Sequence, residues 1–159
     1  MEETARSSDI RQSLMRYAAR LLSARPYFSS RLEEKLLLRA EKLQLTEAGP
    51  VIDQIISDLK KNKFLDDRYL AEAYTRNELK KGWGPRIILL KLTHLGVDQP
   101  VADEVIRSEA DVDRQKEAIL HHLRKLRRYE KRVQINKLFQ RGFNSSAIFL
   151  VFDSQLEAG

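Results

Sequence analysis

The amino-acid sequence predicts an all-α protein of about nine helices, built as three tandem three-helix repeats. Apolar residues recur about every three to four positions along the whole chain, which is the periodicity of a helix with one buried face. No run of alternating apolar and polar residues is long enough to indicate a strand. The 6 Gly and 4 Pro residues fall between the apolar-periodic stretches, where helices are expected to end.

The first three helices follow from this periodicity and from the residues that interrupt it. The first helix is predicted over about residues 10–24. The second is predicted to begin behind Ser29 or Ser30, since serine is a residue type that caps helix N-termini. The third is predicted after Gly49-Pro50.

The fourth helix has the clearest start in the sequence. Asp66 is a natural N-cap because its carboxylate can accept hydrogen bonds from the free backbone N–H groups of the first turn. Leu65 and Leu70 flank this cap at the spacing of a hydrophobic staple. Gly82 is predicted to end the helix.

The later helices are bounded by similar residues. The fifth is predicted to begin at Gly84-Pro85 and to stop at Gly96, which tolerates a left-handed conformation. The remaining four are predicted behind Asp98, over about residues 111–127, up to Gly142, and behind Asn144.

An internal repeat organises these helices. Lys91-Leu92 and the following Leu95-Gly96-Val97 recur 46 residues later as Lys137-Leu138 and Arg141-Gly142-Phe143. The first third of the chain has similar apolar positions, but its connection over residues 42–50 is longer and lacks the turn glycine. We therefore predict three units, residues 1–62, 63–110 and 111–159, stacked into an elongated molecule. The alternative is one irregular bundle with a chance self-match.

Charge is distributed unevenly along the chain. The net charge is 29 − 23 = +6, and residues 114–159 alone contribute 10 − 4 = +6. Residues 1–62 (11 − 9 = +2) and residues 63–113 (8 − 10 = −2) cancel. The predicted third unit is therefore strongly basic, which indicates an anionic partner there.

Several functional classes are disfavoured by composition. The chain has no cysteine, no apolar run of membrane-spanning length and no signal-peptide core, which predicts a cytoplasmic protein with no membrane contact. Its histidines (His94, His121 and His122) lack partners at metal-ligand spacing, and helix capping accounts for Asp66 and Asp67 without a metal-dependent nuclease. No serine sits in a nucleophile-elbow pattern. We expect no catalysis, no metal and no cofactor.

The basic segment 114–141 contains most of the candidate binding residues. Tyr129 lies among its bases and could stack on an unpaired nucleic-acid base, while the bases could neutralise phosphates. The alternative is a solvated helix face, and residue types alone do not distinguish DNA from an acidic protein. The candidates are Arg124, Lys125, Arg127, Arg128, Tyr129, Lys131, Arg132, Lys137 and Arg141.

A second candidate patch lies at the junction of the fourth and fifth helices. Free backbone N–H groups at the start of the fifth helix, flanked by cations, could hold a phosphate or a carboxylate. The alternative is an ordinary helix–helix turn with Trp83 packed on the core, and both can hold. The Walker spacing is absent. The candidates are Lys80, Lys81, Trp83, Arg86 and Lys91.

Three segments together resemble the RecX family, the bacterial modulators of the RecA recombinase. They are Phe64-Leu65-Asp66-Asp67-Arg68-Tyr69, the junction Lys80-Lys81-Gly82-Trp83-Gly84-Pro85-Arg86, and Phe139-Gln140-Arg141-Gly142-Phe143. With Leu32 to Leu38 included, the similarity covers nearly the whole chain, and the motif of the middle unit, over residues 64–97 and ending in Leu95-Gly96-Val97, is the most specific. The connection over residues 42–50 departs from the family pattern because the turn glycine is missing.

This resemblance implies a curved, elongated chain of three-helix units that acts as a monomer. It implies binding in the groove of the RecA filament on single-stranded DNA, with inhibition of ATP turnover, strand exchange and the coprotease state of the SOS response. It thus assigns the chain to DNA repair and recombination. The alternative function is a stand-alone DNA-binding protein that uses one unit as a helix-turn-helix.

Overall fold

A computed structural model describes residues 1–158, which form nine α-helices and one short 3₁₀ helix with no strand among them. The all-α prediction is confirmed. The helices are α1 (Glu2–Ala24), α2 (Ser29–Lys42), α3 (Ala48–Lys61), α4 (Asp67–Lys80), α5 (Pro85–His94), α6 (Gln99–Glu109), α7 (Val112–Leu123), α8 (Lys131–Gln140) and α9 (Ser145–Glu157), with the 3₁₀ helix at Arg124–Leu126.

The described residues divide into two compact units, Met1–Leu70 and the chain from Ala71 onward. In the first unit, α1, α2 and α3 bury one apolar face each, with Leu14, Leu36 and Ile55 fully buried. The second unit has its own buried apolar residues: Ile88, Leu92, Ile119, Leu138, Phe143 and Ile148. The finer division into residues 1–62, 63–110 and 111–159 stays a prediction.

Three predicted helix starts are wrong. Helix α3 begins at Ala48, so Gly49-Pro50 lies inside its first turn rather than before it. Helix α1 begins at Glu2 rather than near residue 10, because its first turns are polar and carry no apolar periodicity to mark them. Helix α2 begins at Ser29 itself, so neither predicted serine is its N-cap. Its first turn is instead capped from α4, where Asp67 accepts hydrogen bonds from the Ser29 backbone N–H at 2.8 Å and the Ser29 hydroxyl at 3.0 Å.

The predicted cap of α4 is confirmed. The Asp66 carboxylate accepts a 3.0 Å hydrogen bond from the backbone N–H of Tyr69. The predicted seventh helix is shorter than expected: α7 ends at Leu123, and the chain tightens into the 3₁₀ turn.

The helix-ending turns share one geometry, as the repeat predicts. Gly96 and Gly142 have φ of +81° and +90°, and Gln44 takes the corresponding place in the first unit with φ of +53°. In each turn the next residue donates its N–H to a carbonyl five positions back, as in Leu45 to Ala40 at 2.9 Å. The sequence lacks a glycine there, yet the turn forms with a strained glutamine.

Replacing Gly96 with valine is expected to lower the free energy of unfolding by about 1–2 kcal/mol, because a β-branched side chain is disfavoured at positive φ. Urea unfolding followed by circular dichroism measures this change. Gln44→Gly is the matched variant and should shift stability upward, since it relieves the same strain. Equal stability of Gly96→Val and wild type would contradict the turn geometry.

Candidate functional site

The junction between α4 and α5 packs directly on the turn between α8 and α9. The Gly84 N–H donates to the Arg141 carbonyl at 2.7 Å, and the Arg86 N–H donates to the Gly142 carbonyl at 3.1 Å. These are the N–H groups that the sequence offered to a phosphate or carboxylate. The predicted anion site at these N–H groups is therefore wrong, because carbonyl groups of the turn between α8 and α9 already accept their hydrogen bonds.

Trp83 lies in this junction and is half-buried, with two cations over its ring. The Lys91 Nζ lies 4.4 Å and the Arg141 Cζ 4.5 Å from the ring centroid. The sequence left open whether Trp83 packs on the core or faces a partner. The indole is part-covered, in agreement with the packed alternative, whereas the role of this patch in binding a partner stays a prediction.

Tyr129 has a matching arrangement. Arg128 lies 4.9 Å and Lys137 4.6 Å from its ring centroid, and Arg128 also donates a 2.8 Å hydrogen bond to the phenol oxygen. The tyrosine ring is therefore fixed in place by cations rather than left fully free for a nucleic-acid base.

One face of α8 connects the two aromatic residues. Lys137 contacts Tyr129, and Arg141, four residues later at the end of the same helix, contacts Trp83. Side chains four residues apart lie on the same side of a helix. The two patches predicted separately thus form one surface, here named the cation–aromatic strip: Arg128, Tyr129, Lys137, Arg141, Trp83 and Lys91.

A buried carboxylate lies beneath the tryptophan end of the strip. Glu78 is only 3% exposed and accepts hydrogen bonds from Lys81 at 2.6 Å and from Lys91. Burial raises the pKa of this carboxyl, but the bonds to Lys81 and Lys91 outweigh burial and hold the pKa below its usual value. The same bond raises the pKa of Lys81. Two cations of this patch are therefore partly neutralised.

Sequence reasoning missed Glu78 because it lies just before the acid-free stretch from Lys80 to Lys91. Its position three residues before Lys81 is the pattern that could have identified it, since such pairs meet on a helix surface. Three cations of the strip have no carboxylate partner among the described residues: Arg128, Lys137 and Arg141.

The other predicted site residues lie around the strip or away from it. Arg86 donates a 2.6 Å hydrogen bond to the Phe139 carbonyl and so supports the junction. Lys80 lines a groove of about 620 Å³ with Arg114 and His121, and makes none of the ring contacts of the strip. The remaining bases are exposed on the 3₁₀ helix, the turn after it and the first turn of α8: Arg124, Lys125, Arg127, Lys131 and Arg132.

Within the described residues, no group of three or more His, Cys, Asp or Glu side chains is placed to hold a metal ion. His121 is exposed, whereas His122 is buried against the Gly82 turn. None of the described helices has the length and apolar content needed to cross a bilayer.

His122 makes the stability of the second unit depend on pH. Its pKa lies below the usual 6.5, first because of burial and then because of the nearby charges of Arg141 and Lys125. The unfolded chain therefore binds more protons here than the folded one, so stability contributed by neutral His122 is lost as the pH falls below about 6.5.

Urea unfolding at a series of pH values between about 7.5 and 5 should show this loss, and His122→Gln should make it smaller. His121→Gln is the control at the neighbouring exposed position. Parallel stability curves for wild type and His122→Gln would contradict the effect of burial on this histidine.

Comparisons with known proteins agree with this architecture. A family model described as "RecX, second three-helix domain" matches residues 66–106. The regulatory protein RecX of Bacillus subtilis is 32% identical over 93 residues, which cover 58% of this chain and 35% of that protein. The regulatory protein RecX of Bacillus licheniformis is 34% identical over 87 residues, covering 54% and 33%. The match thus spans about a third of the length of these curated relatives.

Solved structures share the fold at lower identity. The crystal structure of RecX from Lactobacillus salivarius superposes with a TM-score of 0.76 at 22% identity, covering 92% of this chain and 97% of that one. A second crystal structure, of a regulatory protein RecX, gives a TM-score of 0.73 at 20% identity, covering 92% and 73%. This chain is thus similar to RecX proteins: in sequence over part of its length, including the second three-helix domain, and in fold over 92% of it.

Proposed function

We propose that this chain is a regulator that binds the RecA filament on single-stranded DNA and restrains its recombinase, ATPase and coprotease activities. Regulation is the function named for the curated relatives. The observation that carries the proposal is the cation–aromatic strip. It presents unpaired positive charge next to two ordered rings on one surface, which suits a nucleoprotein.

The proposed mechanism uses binding alone and needs no chemistry, metal or cofactor of the chain's own. Arg128, Lys137 and Arg141 would contact phosphates or acidic side chains of the filament, since they have no carboxylate partner in the described part of the chain. The backbone bonds from Gly84 and Arg86 hold the α4–α5 junction, next to Trp83, against the turn that begins at Arg141. We propose that the protein acts as a monomer, in the groove of the filament.

Filament extension by RecA on single-stranded DNA tests this function. Sub-stoichiometric amounts of the protein are expected to halt extension and to lower the rate of ATP hydrolysis. Filter binding with and without RecA separates this function from that of a stand-alone DNA-binding protein. High-affinity, sequence-specific binding to duplex DNA without RecA would overturn the proposal, as would DNA cleavage on addition of magnesium or manganese.

A further inference from the structure

A groove in the first compact unit lies outside every residue assigned so far. It runs between α1 and α2 and has a volume of about 340 Å³. Its lining is almost entirely polar: Asp9, Gln12, Ser13, Arg16, Tyr17, Arg20 and Arg39. With three arginines and one aspartate, it carries a formal charge of 3 − 1 = +2.

Two of the arginines are ordered around an aromatic ring. The Arg20 Cζ lies 5.3 Å and the Arg39 Cζ 5.2 Å from the centroid of the Tyr17 ring. Tyr17 and Arg39 are half-buried, whereas Arg16 and Arg20 are exposed. The ring thus brings guanidinium groups from two helices into one concave surface, against their mutual repulsion.

These arginines lack the partners that other arginines of the same unit have. Arg11 is paired with Asp58 at 2.6 Å and Arg31 with Glu34 at 2.9 Å. Among the described residues, no carboxylate lies within ion-pair distance of Arg16, Arg20 or Arg39. Three unpaired guanidinium groups at one groove leave a surface that an external anion would complete.

We propose that this groove binds a backbone phosphate of single-stranded nucleic acid. All its cations are arginines, whose planar donor forks match the oxygens of a phosphate, and the Gln12 and Ser13 side chains add neutral donors. Tyr17 also lines the groove, so its ring offers an aromatic surface for the adjoining base or sugar. This site is independent of the proposed function, because it requires no RecA.

The test is fluorescence anisotropy of a labelled oligothymidylate with the full chain, in the absence of RecA. Replacing Arg16, Arg20 and Arg39 with glutamine should weaken binding about tenfold. It should also make the dependence of log K on log salt shallower by about 0.7, since one neutralised single-strand phosphate contributes about that much. Replacing the same three with lysine should weaken binding several-fold although the charge is kept.

The matched control removes the same charge elsewhere in the first unit, by Lys60→Gln, Lys61→Gln and Lys63→Gln, and should bind like wild type. Because Arg39 is half-buried whereas Arg16 and Arg20 are exposed, the double variant Arg16→Gln, Arg20→Gln gives a second measurement in which the fold is less perturbed, and it should lose affinity in the same direction. Circular dichroism establishes that each variant is helical.

Three results would overturn the site. An equal loss of affinity when Arg16, Arg20 and Arg39 and when Lys60, Lys61 and Lys63 are replaced with glutamine would show only general charge attraction. Full affinity of the protein in which the three arginines are replaced with lysine would show the same. Displacement of the oligonucleotide by inorganic phosphate at matched ionic strength would assign the groove to the free anion. Displacement by polyglutamate but not by unlabelled oligothymidylate would assign it to an acidic protein.

Discussion

Replacing Gly84 with alanine is expected to lower the free energy of unfolding of the second compact unit by about 3 kcal/mol, the upper part of the range for overpacking a close contact. An added Cβ would lie 2.2 Å from the Phe143 nitrogen and 2.3 Å from the Gly142 carbonyl carbon. Both atoms belong to the backbone, so no side chain can rotate away. The two turns must separate, and the 2.7 Å hydrogen bond from Gly84 to Arg141 is lost with them.

Thermal unfolding followed by circular dichroism measures the effect, which corresponds to a decrease in the Tm of this unit of about 12–24 °C. The tryptophan of the chain, Trp83, gives a second measurement because it lies next to the junction. Its emission should shift toward longer wavelength as the Arg141 side chain moves away and water reaches the ring.

Gly49→Ala is the control, because nothing lies within 4 Å of a Cβ at that helical position. It should raise stability slightly, by about 0.5–1 kcal/mol, since alanine loses less backbone entropy than glycine. If Gly84→Ala unfolds at the wild-type temperature while Gly49→Ala behaves as expected, the close approach of the two turns is incorrect.

Local features of the fold follow from the sequence alone. The cap at Asp66, the proline at the start of α5 and the positive φ of Gly96 each depend on a few neighbouring residues, and each was predicted. The repeat was also visible, because turn glycines are recognisable at a fixed offset. A search for turn glycines misses the corresponding turn of the first unit, because there Gln44 adopts the left-handed conformation typical of glycine.

Features that depend on distant residues were not predictable. Asp67 caps the start of α2 from 38 residues away, and the local serines gave the wrong cap. The N–H groups at the start of α5 looked free because Gly142, whose carbonyl accepts the Arg86 N–H, is 142 − 86 = 56 positions from Arg86. Local sequence patterns do not show that the α4–α5 junction packs on the turn between α8 and α9.

The candidate residues were named from charge and aromatic content, yet their grouping required the fold. Nothing in the sequence pattern joins Trp83 to Tyr129. The structure joins them through Lys137 and Arg141 on one face of α8. It also changes the local charge, because the buried Glu78 accepts hydrogen bonds from two of the predicted lysines. The useful quantity is therefore the number of cations at this surface that have no carboxylate partner, which a count of its basic residues overstates.

Reversing the four exposed bases at Arg127, Arg128, Lys131 and Arg132 to glutamate is expected to weaken inhibition of RecA ATP hydrolysis at least about tenfold, or about 1.4 kcal/mol. These positions flank the tyrosine end of the strip and carry little of the core, so the helix content should not change. The net charge changes from +6 to 6 − 8 = −2. Repulsion from an anionic filament then replaces attraction at this surface.

A variant of equal charge separates the effect of this surface from that of net charge. Glutamate at Lys42, Lys60, Lys61 and Lys63, all exposed in the first unit, also gives −2. This variant should inhibit more strongly than the variant at Arg127, Arg128, Lys131 and Arg132 at every salt concentration. Added salt should weaken inhibition by the wild type toward that of the latter variant. If both variants lose inhibition equally, the filament responds to total charge, and the surface around Tyr129 is not its binding site.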